Sequence, residues 1–371
     1  MNTGVLLVTG IFPPDSGGPA KFSSEFGFWC LENNWPTKII TYSGQTSKTP
    51  ELDAGVSVLR INRNEALFFR YIRMIMNIGK NSRQGVRVLA AGAFLETYIA
   101  SILFRFRYVA KVPGDIVWER ARNNRITNLA IQDFQLIKLP VKYRIFRWLF
   151  TQSLKKASIV IVPSKGLYQL CLAWGIKERN LKLIRNSISS EKFFVGTRRE
   201  IEFDIITVCR LVPWKGVDAL IRYCSDRGLK LAVVGDGPER EALEVLSKSL
   251  AAQVKFFGVV SGQEVVEVLS RSQIFALNSS YEGLPHALVE ARAVGLISVA
   301  REGTGSAEVI NDGIDGFLVR DDRNLEQTID LALSTSKQSG RMGELAAQDS
   351  LLRFSRENNF LAILDLLSEL D

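Results

Sequence analysis

Four side chains in the second half of the chain have the type and spacing to hold a diphosphate and the hydroxyls beside it. Arg210 and Lys215 stand five positions apart in Val208-Cys-Arg-Leu-Val-Pro-Trp-Lys-Gly216, a loop containing Pro and Gly that ends a strand. Two cations fixed there can clamp a pyrophosphate. If that group departs with growing negative charge, they stabilise the transition state more than the ground state. Glu282 and Glu290 stand eight positions apart in Ser279-Ser-Tyr-Glu-Gly-Leu-Pro-His-Ala-Leu-Val-Glu-Ala-Arg-Ala-Val-Gly295. Pro285 suits the first turn of a helix and Gly295 its C-terminal stop, so Glu282 falls in the loop before the helix and Glu290 within it. Glu290 can then accept two hydrogen bonds from the vicinal hydroxyls of a ribose, with Glu282 on the side of a sugar. The intervening Gly283, Leu284, Pro285 and His286 open the new helix, whose exposed N–H groups attract a phosphate. Taken alone, each pair is also the pattern of ordinary solvated charge.

The elements that would position these residues follow from length and periodicity. A chain of 371 residues predicts two domains, each large enough for its own core, with a cleft between them. Aliphatic runs predict strands over Gly4–Gly10, Thr37–Tyr42, Val56–Ile61, Arg87–Ala90, Arg107–Val112 and Ser158–Val162. Segments of helical periodicity separate them, the first over Pro19–Asn33. The second half repeats the pattern with strands over Phe203–Val208, Lys230–Val234, Lys255–Phe257, Ile274–Asn278, Leu296–Ala300 and Gly316–Val319. Strands alternating with helices predict an α/β protein of two doubly wound parallel sheets, with ligands outside the carboxyl ends of the strands. The expected boundaries are a first domain over 1–184, a polar linker over 185–202 and a second domain over 203–349. An amphipathic helix over 350–371 is expected to pack back on the first domain.

Charge is unevenly placed: 30 Lys/Arg against 13 Asp/Glu in residues 1–200, and 17 against 26 in the remainder. A basic first half favours phosphates or anionic surfaces. The candidate phosphate-binding cations lie in the acidic half and no nucleic-acid recognition motif is present, so nucleic acid is not an expected partner. Cys30, Cys171, Cys209 and Cys224 form no C-x-x-C pair, which argues against a zinc knuckle or a secreted disulfide scaffold and suits a reducing cytoplasm. No apolar run reaches the length of a membrane span; the nearest, Phe94–Phe104, carries Glu96. Met1–Gly10 has no basic leader, so no signal peptide is expected. There is no D-x-D for a metal-bridged diphosphate, and no metal or other cofactor is expected.

Two further stretches interleave Arg and Lys with aromatics: Phe68-Phe-Arg-Tyr-Ile-Arg-Met-Ile-Met76 and Lys138-Leu-Pro-Val-Lys-Tyr-Arg-Ile-Phe-Arg-Trp-Leu-Phe150. Both suit peripheral contact with an anionic membrane, and both suit domain helices whose apolar stripe faces a core. Gly235-Asp-Gly237 lacks the third glycine of a dinucleotide fingerprint and reads as a strand-to-helix turn.

Arg210, Lys215-Gly216, Gly235-Asp-Gly-Pro238, Phe257-Gly258 and the E-G-L-P-x-A-L-V-E-A block together resemble the retaining glycosyltransferases of family 4 over roughly 203–330. The resemblance implies the GT-B fold, two facing Rossmann-like domains. It implies Arg210 and Lys215 on the diphosphate of a nucleotide sugar, UDP- or GDP-linked, with Glu290 on the ribose, Glu282 near the transferred sugar, and retention at the anomeric carbon. Phe12-Pro-Pro-Asp-Ser-Gly-Gly18 is similar to the family's glycine loop, which implies Gly17 and Gly18 close to donor phosphate and acceptor. Where many relatives carry a histidine after a first-domain strand, this chain has Lys111-Val-Pro-Gly-Asp115. Asp115 could hold or deprotonate an acceptor hydroxyl, or cap a helix. The single histidine, His286, stands at a helix start, where it can touch donor phosphate or sugar or serve structure alone. The expected acceptor is a glycan or lipid-linked sugar in surface polysaccharide or lipopolysaccharide assembly, at the inner face of the cell membrane. A nucleotide-sugar epimerase and a non-catalytic sugar-nucleotide or membrane-surface binding subunit are the alternatives.

Overall fold

A computed structural model of the protein describes residues 4–15, 17–44, 51–53, 55–83, 85–188, 200–303 and 305–370. The chain divides into two units. The first comprises Met1–Asn128, Asp133–Ile184 and Phe360–Asp371; the second comprises Leu129–Gln132 and Arg185–Asn359. Of the expected linker, 189–199 lie outside the described residues.

The sheet of the first unit is built from β1 (Val5–Thr9), β2 (Thr37–Ser43), β3 (Glu51–Asp53), β4 (Val56–Asn62), β5 (Arg87–Ala90), β6 (Tyr108–Lys111), β7 (Ile159–Val162) and β8 (Leu181–Leu183). Their order across the sheet is β3-β4-β2-β1-β5-β6-β7-β8. Seven strands run parallel, and Val5 pairs with Thr37 on one side and Arg87 on the other. The edge strand β3 runs antiparallel to β4. Helices cover both faces of such a sheet, which is why its strands read as unbroken aliphatic runs. Neither β3 nor β8 was expected, because a three-residue strand is too short to show a period.

Phe22, Phe26 and Trp29 recur at helical spacing on the helix Gly18–Glu32 and are buried. They meet the ring of Phe360 edge-on, with centroids 6.0, 5.2 and 5.5 Å away. Phe360, Ile363, Leu364 and Leu367 of the helix Arg356–Ser368 thereby belong to the core that also contains Val5, Leu7 and Ile161. The single helix expected over 350–371 is in fact two, Arg341–Arg353 and Arg356–Ser368. The break has a backbone cause: Ile188 N–H donates to Phe354 O and Arg356 N–H to Ile188 O, at 2.9 and 3.1 Å. This bridge draws Ser355 out of the helical ladder.

The second unit holds β9 (Phe203–Val208), β10 (Leu231–Val234), β11 (Val254–Gly258), β12 (Ser272–Leu277), β13 (Ile297–Arg301) and β14 (Phe317–Val319). All are parallel, in the order β11-β10-β9-β12-β13-β14. The chain winds outward from β9 to β11, then returns to place β12 on the other side of β9. The winding direction therefore reverses between β9 and β12, and at such a switch point the loops diverge and leave room for a ligand. Among the described residues, no helix is long and apolar enough to cross a membrane.

Candidate functional site

The loops leaving the carboxyl ends of β9, β10, β12 and β13 are tied to one another by backbone and amide hydrogen bonds. After β9, Leu211, Val212 and Trp214 are buried while Arg210 is exposed. The loop closes in a 3-10 turn over Pro213–Lys215 and ends at Gly216 with φ 59°. A Cβ on Gly216 would lie 2.5 Å from Asn278 Nδ2 and 2.8 Å from Asn278 O, so only glycine allows this approach to the end of β12. Asn278 Nδ2 donates to Gly216 O at 3.0 Å, and Asn278 Oδ1 accepts from Arg301 Nε at 2.7 Å. Ser280 N–H donates to Trp214 O at 2.9 Å, and Gly305 N–H to Glu282 O at 2.9 Å. Leu211 N–H donates to Asp236 O and Leu211 O accepts from Glu239 N–H, at 2.9 and 3.1 Å, which brings in the turn after β10.

This framework carries Lys215 and Glu282 into direct contact: Lys215 Nζ donates to Glu282 Oε1, with 13% and 12% of the side chains exposed. The residues are sixty-seven positions apart in sequence and come from the two sides of the switch point. Arg210, on the same loop as Lys215, makes no side-chain hydrogen bond or ion pair among the described residues. Its guanidinium is therefore presented at the end of β9 with its five donors lacking an acceptor among the described residues. The helix His286–Ala293 begins immediately after Pro285, with Gly295 at φ 89° just beyond its end. His286 and Glu290 lie one turn apart on it, both half-buried. The helix is anchored from behind by Arg292, which is fully buried against Asp315 and Asp349 at 2.8 and 2.9 Å. Gly283, Leu284 and Pro285 fill the turn between, where Gly283 O leaves no room for a Cβ on Gly305.

Residues 189–349 match the glycosyl transferases group 1 family. The matched stretch contains every site residue just described. An uncharacterized glycosyltransferase of Methanocaldococcus jannaschii is 30% identical over 183 residues, covering 45% of this chain and 46% of that one. The chain thus spans about half the length of that curated relative. The amylovoran biosynthesis glycosyltransferase AmsD of Erwinia amylovora is 25% identical over 328 residues, 85% of each chain. Among solved structures, Anabaena HepE in complex with UDP and glucose superposes with a TM-score of 0.78 at 17% identity, over 99% of this chain and 100% of that one. The two parallel-sheet units thus have the GT-B fold, with the group 1 match confined to the stretch that begins at residue 189.

The remaining candidates lie in the first unit. Gly17 and Gly18 follow β1, exposed, at the start of the helix Gly18–Glu32. Gly17 has φ 138°, a conformation that requires glycine, and the loop is held by an Asp15–Arg63 ion pair at 2.5 Å. For Asp115 the geometry is that of the cap. Its Oδ1 accepts from Val117 and Trp118 N–H at 2.9 and 3.1 Å, and its Oδ2 accepts from Gln135 Nε2 at 3.0 Å. The residue is 1% exposed; burial pushes its carboxyl above the ordinary value, with the hydrogen bonds opposing. Asparagine caps as well as aspartate does. Asp115→Asn keeps the cap but sets its amide nitrogen against Gln135 Nε2, whose amide is held by Trp174 Nε1 at 3.1 Å. It is therefore expected to lose about 1 kcal/mol and to keep its turnover, whereas Asp115→Ala, which also loses the cap, loses about 2 kcal/mol. A hundredfold fall in turnover for a folded Asp115→Asn protein would instead make the carboxylate a proton acceptor.

Two buried ionisable groups near the ends of β5 and β6 were not anticipated. Glu96 is 4% exposed and accepts from the Tyr42 hydroxyl at 2.7 Å; burial raises its carboxyl despite that bond. Lys111, 4% exposed, lies 4.5 Å over the Phe22 ring, and burial pulls its ammonium down to about 8. The signal for Glu96 was present as the one acid in an apolar run. Asn278 and Gly305, which hold the second-unit loops together, gave no comparable signal.

Proposed function

We propose that this protein is a glycosyltransferase of polysaccharide assembly. It would take the sugar from a nucleotide diphosphate sugar held by the second unit and pass it, with retention and without a metal, to a glycan or lipid-linked acceptor. The observation that carries the reading is the Lys215–Glu282 contact across the switch point, with the exposed guanidinium of Arg210 on the same loop. Arg210 and Lys215 would neutralise the departing diphosphate, and Glu282, through the carboxylate oxygen that Lys215 does not occupy, would hold a hydroxyl of the sugar. Glu290 would take the ribose hydroxyls, and the helix start at His286 would favour phosphate. Support comes from the group 1 match over this stretch, from the UDP and glucose bound by HepE, and from the amylovoran role of AmsD. The free, buried Cys30, Cys171 and Cys224 suit a reducing cytoplasm.

UDP and GDP, each added without metal and in the presence of EDTA, provide the test. The nucleotide that belongs to the donor should raise the melting temperature, since a ligand at a hundred times its dissociation constant adds about 2.7 kcal/mol. A shift that disappears in Arg210→Ala supports the assignment. No shift with either nucleotide would remove it.

A further inference from the structure

The helix Val141–Lys156 buries Tyr143, Phe150 and Leu154 in the first unit. On another face Arg144, Arg147, Trp148, Thr151 and Lys155 follow one another at helical spacing. With Lys138 and its neighbours in the preceding loop they line a groove of about 360 Å³. Four of the lining side chains are cations, and none is a carboxylate. Arg147 lies 4.7 Å over the Phe134 ring, and its Nη2 is buried with no hydrogen-bond partner among the described residues. Asp115 offsets part of the charge on this half-buried guanidinium, but the remaining like charges and the unmade hydrogen bond at Nη2 are both unfavourable until an anion fills them.

Beside the groove runs an apolar strip, Val141, Ile145 and Trp148, which are 67%, 55% and 59% exposed. The helix Phe94–Phe104 packs against this helix, and Leu67–Asn81 packs against Phe94–Phe104 in turn. Leu67, Phe68 and Phe69 at the start of Leu67–Asn81 are likewise exposed, next to Arg70 and Arg73. A soluble phosphate would satisfy the cations and leave these side chains in water. An amphiphile with a phosphate head satisfies both.

We infer that this groove holds the phosphate of an anionic membrane lipid, with Val141, Ile145 and Trp148 against its chains. The inference does not rest on the sugar-transfer reading, because lipid binding is measured without donor or turnover.

The full chain should pellet with vesicles of phosphatidylcholine and phosphatidylglycerol and remain in solution with phosphatidylcholine alone. The Arg144→Gln/Lys155→Gln variant should bind the mixed vesicles about thirtyfold more weakly, the equivalent of about 2 kcal/mol at about 1 kcal/mol per cation near an anionic surface. Ile145→Ser/Trp148→Ser should also weaken binding; all four side chains are exposed, so both variants should melt with the parent. Parental binding by either double variant overturns the inference. Full release of the protein from the mixed vesicles by inorganic phosphate or glycerol phosphate also overturns it, and would assign the groove to a free anion.

Discussion

Arg210→Ala and Lys215→Ala proteins are each expected to turn over donor about 10²–10³-fold more slowly than the parent at saturation. The reason is electrostatic: on the proposed reading charge would develop on the departing diphosphate, and each cation would matter most at that moment. The two substitutions differ in what they leave behind. Arg210 is exposed and has no internal partner among the described residues, so its removal should leave the melting temperature unchanged. Lys215 is paired with a carboxylate that is 12% exposed, so its removal also strands Glu282 and lowers stability. A Lys215→Met/Glu282→Gln protein separates these effects, because it restores a neutral pair without restoring the cation. It should recover stability and remain slow. Release of nucleoside diphosphate, followed in a coupled assay beside melting by circular dichroism, reads both quantities. Parental kcat in both single variants would dismantle the catalytic assignment.

Arg292→Met is expected to cost about 3–5 kcal/mol of stability. Arg292 is 0% exposed and spends its donors on Asp315 Oδ1 and O, Asp349 Oδ2 and Ser350 Oγ. Methionine fills the volume but leaves Asp315, 4% exposed, without its counter-ion, while Asp349 keeps Arg353 at 3.0 Å. For Asp315, burial raises the carboxyl, but Arg292 and the donors of Asn311 outweigh it, so the group titrates below its ordinary value. A depressed carboxylate stabilises the fold above its unfolded value of about 3.9, and that contribution drains away as pH falls through the folded value. The parent should therefore lose stability on acidification below about pH 4, and the variant should lose less there because most of the term is already gone. Urea midpoints near neutrality and near pH 3 decide the matter; a variant matching the parent at both would refute it. Because Arg292 shares a helix with His286 and Glu290, donor affinity should fall with it.

The strands were legible wherever burial on both faces wrote a continuous aliphatic run, as at Phe203–Val208, which matches β9 residue for residue. The sequence carried no such mark for β3 or β8, each three residues long. The break at Ser355 is set by a pairing with Ile188, more than a hundred and sixty residues away, and no local pattern encodes it. At the site, residue types and their elements were readable, since a Pro before His286 and a Gly after Val294 bound the helix. The meeting of Lys215 with Glu282 was not, because it depends on Asn278 and Gly216 closing two distant loops. Val141, Ile145 and Trp148 show the complementary limit: periodicity marks an apolar stripe, but only neighbouring elements decide whether anything covers it.

The Phe22–Phe26–Trp29 face closes on a side chain that the ribosome supplies late. When residue 184 is made, every strand of the first sheet exists, yet the cover for those rings lies 176 positions downstream at Phe360. At about 5–20 residues per second, that is roughly 10–35 s in which a nascent first unit shows an aromatic groove to its surroundings. Anything that binds such a groove in the interval, a chaperone or the same helix of another copy, competes directly with the chain's own Arg356–Ser368.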